Sequence, residues 1–306
     1  PREDGAVQLA VPGADDEEDD EASRLPELLL RGEPAAVAVA RFAEGDADLV
    51  TGGTAGDLPL ARAARVPAAQ LAFDPAAGLF GLAFSPVQEG PLADAATRRA
   101  LSMAIDRDAL VAGLAVPGLR PQAGLLPPLP DELTAPSAPD WAGAPLPMRR
   151  ELAARAISGL DAPLRLRVAL PEGAGYRLLF AYLRRDWRVI GVEAERVAAN
   201  APADLRLIDE VAPAMLASWY LRHFACGAGT VCDPAADLAL EAARAAPTQP
   251  ERQIQLAEAD RLMTALVPYI PLCSPIRWSL VSPRLTGFRP NMFARHPAAT
   301  LIAQEF

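Results

Sequence analysis

A chain of 306 residues, 51% of them apolar, is long enough to bury a sizeable core and reads as two domains or lobes. Its net charge of −10, with arginine supplying all 29 basic residues, argues against nucleic acid and anionic membrane surfaces as partners. No run of about 18 residues lacks a charge, so no membrane-spanning helix is expected.

The chain begins PREDGAVQL, without an initiator Met, a signal peptide or a lipid-attachment Cys, and reads as a processed or truncated product. Residues 7–11 (VQLAV) are an expected strand. The run 15–21 (DDEEDDE) repels itself and reads as a mobile loop; it lacks the glycine and spaced ligands of a calcium loop. After a short apolar segment at 25–30, residues 34–43 (PAAVAVARFA) read as a helix ended by Gly45, and residues 47–50 (ADLV) as a strand. This βα unit favours an α/β fold. Residues 51–56 (TGGTAG) form a glycine turn before a helix starting near Asp57. They lack the Lys-Ser/Thr of a P-loop and the spacing of a dinucleotide fingerprint. A plain turn is the simpler reading; a ligand-facing turn is the other, since ligands in α/β folds lie beyond the carboxyl ends of strands.

Residues 79–84 (LFGLAF) are expected to be a buried strand, and two short helices follow. Asp94 is placed to cap the first, whose Leu101, Ala104 and Ile105 share a face; Asp106 is placed to cap the second, which carries Leu110, Val111 and Leu114. Arg98, Arg99, Asp106, Arg107 and Asp108 look like an active-site cluster, but caps and surface ion pairs are the simpler reading. Residues 115–147 are rich in Pro and Gly and read as a long irregular excursion. Helices are expected at 149–160, 176–190, 215–224, 234–246 and 250–266. Strands are expected at 164–170, 192–197, 204–208, 269–272 and 278–281, with an irregular tail at 285–302. Cys226 and Cys232, separated by GAGTV, have the wrong spacing for a CxxC redox or zinc pair. A small-loop disulfide in an oxidising compartment is expected there, free thiols being the alternative. Cys273, in YIPLCSP, reads as a buried, inert thiol.

The stretch RRALSMAIDRDALVAGL, preceded by FSP and followed by PQAGLLPP, closely resembles the second-lobe entry of the peptide/nickel-type (family 5) solute-binding proteins of ABC importers. FAEGDADLV is similar to that family's first-lobe helix and strand, and LLFAYLRRDWRVIGVEAE to its second-lobe helix and strand. AEADRLMTALVPYIPLCSPIRWSLVSPRLTGFRPN is similar to the section that returns to the first lobe. The resemblance implies an α/β, two-lobe periplasmic-binding-protein-like fold (class II, cluster C) with the ligand between the lobes. Lobe one takes residues 1–84 and 276–306, lobe two residues 85–275, with hinges near 82–85 and 275–277. Family members carry a long segment before the point where this chain begins, so the first lobe is expected to be incomplete, the rest being a missing N-terminal segment or a second chain.

Enzyme readings do poorly. There are two histidines, and no GxSxG elbow, HExxH or paired-cysteine metal site. His223 reads as a packed or capping residue and His296 as a surface one. No cofactor or metal is expected. A binding protein needs a cleft with a few placed polar groups and aromatic walls. The hinge segments and second-lobe strand ends offer Phe84, Ser85, Asp209, Trp219, Tyr220, Arg277 and Trp278; Trp219 and Tyr220 read equally well as core, and Arg277 as a partner for a carboxylate. In peptide-binding members of the family a strand ends in a pattern like W-x-x-D-Y-x-x-P, whose aspartate receives the ligand's ammonium. Here residues 206–213 read RLIDEVAP, keeping Asp209 and Pro213, with Arg206 in place of Trp and Glu210 in place of Tyr. Independently of the family, a carboxylate just past the strand 204–208 stands at the mouth of an α/β cleft, or else caps the next helix. The expected function is a periplasmic solute-binding protein delivering a peptide or similar small polar molecule to an ABC transporter's membrane permease. The alternative is a non-transport interaction subunit or binding-lobe relic that needs a partner chain.

Overall fold

The computed structural model describes residues 6–9, 28–128 and 130–303, and the acidic run 15–21 lies outside them. The first part of the chain holds β1 (Val7–Leu9), β2 (Leu28–Leu30), α1 (Ala35–Glu44), β3 (Leu49–Gly53), α2 (Leu58–Ala63), β4 (Leu71–Asp74) and β5 (Gly78–Phe84). The middle holds α3 (Ala95–Ala104), α4 (Arg107–Leu114), α5 (Leu146–Ser158), β6 (Arg165–Leu170), α6 (Ala174–Val189), β7 (Glu193–Ala198) and β8 (Leu205–Val211). The last part holds α7 (Ala217–Arg222), α8 (Pro234–Ala245), α9 (Gln249–Leu266), β9 (Tyr269–Cys273), β10 (Arg277–Val281), β11 (Leu285–Thr286) and β12 (Ile302–Ala303). Among the described residues no helix is long and apolar enough to cross a membrane.

Two sheets organise these elements. A mixed five-stranded sheet has the order β7-β6-β8-β5-β9, and a smaller antiparallel sheet the order β3-β10-β4. In the larger sheet β6 runs parallel to β7 and β8, while β5 is antiparallel to both β8 and β9. All seven residues of β5 are buried, which is what its unbroken apolar run LFGLAF requires of a strand covered on both faces. Side chains alternate along a strand. Accordingly Phe80, Leu82 and Phe84 join a core with α3, α5 and α6, whereas Leu79 and Ala83 join a second core with α7, α8 and α9.

The chain passes between the sheets twice. Residues 75–77 carry it from β4 to β5, and residues 274–276 carry it back from β9 to β10. These links run side by side, bracketed by the pairs Asp74↔Arg277 and Phe80↔Cys273. The second link takes in residues 275 and 276, and Arg277 opens β10. The first link lies ahead of residues 82–84, which are inside β5: all three pair with β8, and Leu82 and Ala83 pair with β9 as well.

The helix pair starts as its sequence dictates. The Asp94 carboxylate accepts from the Ala96 N–H at 2.9 Å, and that of Asp106 from the Ala109 N–H at 3.0 Å. The arginines around them are not all surface residues. Arg98 is 1% exposed and donates to the carbonyls of Leu92, Ala93, Leu266 and Val267, closing the C-terminal end of α9. Arg107 donates to the Pro271 and Ser102 carbonyls, and burial, with Arg149 nearby, lowers its pKa to about 9. Only Arg99 of the three makes an exposed ion pair, with Asp140. Other departures are local: β4 falls where no strand was expected, α7 is shorter than the predicted helix, and β11 and β12 pair within the tail. His296 is also no surface residue; its side chain is 4% exposed, bonds to Asp74 at 3.1 Å and stacks on Phe288.

Candidate functional site

Asp209 lies within β8, opposite Phe80, rather than just past the strand's end, and its side chain caps no helix. One carboxylate oxygen, Oδ1, accepts from Arg277 Nη1 at 2.6 Å; the other, Oδ2, accepts from the Tyr176 hydroxyl at 2.8 Å. Arg277 begins β10 in the small sheet, so the ion pair joins the two sheets where the chain crosses between them. A second bond runs from Arg277 Nη2 to the Asp209 carbonyl at 3.0 Å. The Asp209 and Arg277 side chains are 9% and 13% exposed. Burial first, and then the Asp209 carboxylate, hold the Tyr176 phenol well above its ordinary pKa, so the phenol is a hydrogen-bond donor at neutral pH.

The surroundings of this group come from both sheets. Trp278 is fully buried next to Arg277, and its indole N–H donates to the Thr54 carbonyl at 2.8 Å. The ring lies so close to Gly53 that a Cβ there would sit 2.1 Å from it. Of the TGGTAG segment, the first three residues complete β3, and Thr54 to Asp57 make the turn, with the Asp57 N–H on the Thr54 carbonyl. This turn offers a carbonyl rather than N–H groups to its neighbour: Gly56 O accepts from the N–H of Gly175 in the first turn of α6, at 3.0 Å. Tyr176 follows directly, its ring packed over Gly56.

The remaining expected site residues lie elsewhere. Phe84 ends β5 and Ser85 follows it, four and five residues from the Phe80↔Asp209 pair. Phe84 is fully buried, and the Ser85 hydroxyl donates to the Ala203 carbonyl at 2.7 Å. Trp219 and Tyr220 belong to the opposite face of the large sheet. Glu210, the neighbour of Asp209, points there and bonds to His223 at 3.0 Å, and Trp219 stacks edge-on against that imidazole. Tyr220 is fully buried, and burial pushes its pKa up to about 12. Trp219 and His223 line an open cleft of about 430 Å³ with Leu216, Ser218, Arg222 and Ala228. A cavity of about 620 Å³ beyond β9, with Ser102, Trp141, Thr264 and Tyr269 in its wall, includes none of the seven expected residues. Tyr176 was not anticipated, its signal being the glycine-rich strand-to-helix junction PEGAGY, whereas Thr54 belongs to the TGGTAG turn, for which a ligand-facing role was the second reading.

Cys226 and Cys232 form a disulfide, with Cα atoms 5.1 Å apart, in the loop between α7 and α8. Cys273 is buried, and burial raises its thiol pKa, leaving it unreactive.

The family model of bacterial extracellular solute-binding proteins, family 5 Middle, matches residues 28–222. No curated protein matches the sequence. Among solved structures, the Haemophilus influenzae OppA complex with RPPGFSPFR aligns with a TM-score of 0.75 at 16% identity, over 91% of this chain and 58% of that one. The Escherichia coli murein tripeptide binding protein MppA aligns with a TM-score of 0.75 at 20% identity, over 92% and 58%. Campylobacter jejuni NikZ in complex with Ni(L-His) aligns with a TM-score of 0.65 at 16% identity, over 87% and 58%. The chain therefore spans less than two thirds of the length of these structures, and at such identities the likeness establishes the fold.

Proposed function

Because this chain belongs to the bacterial extracellular solute-binding proteins of family 5, we propose that it binds a peptide or similar small polar molecule between its two sheets. It then hands that molecule to the membrane permease of an ABC transporter. In this reading the protein works in the periplasm, an oxidising compartment that suits the Cys226–Cys232 disulfide. The lobes divide at the two links: residues 6–9, 28–74 and 277–303 make one, and residues 78–128 and 130–273 the other. The links bend as the lobes close on the ligand.

The observation that carries the reading is the meeting of Asp209, Tyr176 and Arg277. A carboxylate from the large sheet, a guanidinium from the small one and a phenol from α6 converge at one crossing, where a ligand is held by whichever polar groups it can pair with. Phe84, Ser85, Trp219 and Tyr220 are left out of the proposed site because they lie at the other end or on the other face of the sheet.

Native mass spectrometry of gently purified protein tests this. The expected result is a retained small molecule whose mass is missing from an Asp209→Ala preparation. A stable complex with a second polypeptide and no small molecule would overturn the proposal in favour of an interaction subunit.

A further inference from the structure

The Asp209 carboxylate is engaged on both oxygens by donors of its own chain, one of them the full positive charge of Arg277. That guanidinium is anchored three ways, to Asp209 Oδ1 at 2.6 Å, to the Asp209 carbonyl at 3.0 Å and to the Ile276 carbonyl at 2.9 Å. An ammonium brought by a ligand would have to displace it or lie beside it, and two cations at contact distance in a largely desolvated place repel strongly. A guanidinium carries five N–H donors. Three of Arg277's contacts are accounted for, and its Nε–H and second Nη2–H have no partner among the described residues. Those two donors share one edge of the planar group, the edge that fits a carboxylate with two parallel bonds.

We infer, resting on the solute-binding reading above, that Arg277 sets the specificity of the site. It is a tethered cation that fills the place beside Asp209 where an amine would bind, and it offers its free edge to an acid. The ligand class is a small peptide-like acid with no free ammonium near the Asp209 end.

Titration calorimetry on the whole chain with two probes tests this: N-acetyl-trialanine, which has a carboxylate and no ammonium, and trialanine amide, which has an ammonium and no carboxylate. The unaltered protein should bind the acetylated acid at least tenfold more tightly. Arg277→Gln, which keeps the bulk of the side chain and removes the charge, should reverse that order. Equal or tighter binding of the amide by the unaltered protein overturns the inference and leaves the solute-binding reading standing. Binding of neither probe to either protein overturns both the inference and the peptide-like ligand class beneath it. The comparison of probes on the unaltered protein decides the matter even if the variant fails to fold.

Discussion

Asp209 and Arg277 are each hard to remove alone. Their side chains are mostly shielded from water, so truncating one strands the charge of the other. For such pairs the cost is about 3–5 kcal/mol, while replacing both with apolar groups of similar volume is often close to neutral. Urea unfolding of Arg277→Met, Asp209→Leu and the double variant should therefore show large single losses and a much smaller combined one. Additive losses would mean that the two groups are not coupled. The sequence marks Asp209 as a carboxylate just past a strand and Arg277 as a candidate carboxylate partner. It does not show that each is the other's partner, because 68 residues separate them and only the sheet crossing joins them. Tyr176 is hidden for another reason: at the start of an amphipathic helix it reads as the first apolar contact, and its hydroxyl's direction is set by the turn at Gly56. Gly53 makes a sharper prediction. An added methyl would overlap the Trp278 indole, so Gly53→Ala should cost about 1–3 kcal/mol in the same unfolding assay. An unchanged midpoint would show that the ring gives way freely.

At the scale of elements, the excursion at 115–147 is legible as irregular chain, but its anchors are not. The Glu132 carboxylate ties it to the N–H of Ser218 and to Arg252, and the Ser137 N–H donates to Asp260 of α9. Asp260 is fully buried, one of its oxygens has no partner among the described residues, and burial raises its pKa. A carboxyl whose folded-state pKa is raised stabilises the fold most below its unfolded pKa, and that contribution is lost as pH rises through the folded value. Asp260→Asn removes this charge, so the variant's stability relative to the unaltered protein should improve between acidic and neutral pH. A pH-independent difference would refute the assignment. The disulfide between α7 and α8 is also testable. A loop this short, six residues from cysteine to cysteine, constrains the unfolded chain by about 2 kcal/mol. Reduction should lower stability by that order, and peptide mapping without reductant should recover the linked pair.

At the scale of the molecule, the small sheet meets the large one through the turn at 54–57 against the first turn of α6, and the contact is tight because Gly175 has no side chain. A Cβ at Gly175 would stand 1.8 Å from the Ala55 carbonyl oxygen. Gly175→Ala should therefore move the two bodies apart, giving a larger radius of gyration in small-angle scattering with little change in helix content. An unchanged radius would show that the contact adjusts locally. The two-body α/β plan is legible from the alternation of strands and helices and from the family-like stretches. Strand order is not, because it depends on which distant segments pair, and the short strand β4 (LAFD) is too brief to show a period.

The order β3-β10-β4 also governs when the molecule can be finished. Among the described residues β3 and β4 share no ladder; each pairs only with β10, which lies some 200 residues further along the chain. In cell-free synthesis, where the chain leaves the ribosome N-terminus first at about 5–20 residues per second, both strands wait tens of seconds for their partner. The span 78–273 is complete in the meantime, with its two ends already side by side through the pairing of β5 with β9. That span can fold first, reducing a loop of nearly 200 residues to a short gap and removing most of the entropy cost of bringing β10 home. Nascent chains stalled before Arg277 should thus show a protease-resistant core at 78–273 while residues 49–74 are still digested, and release past Val281 should protect both together.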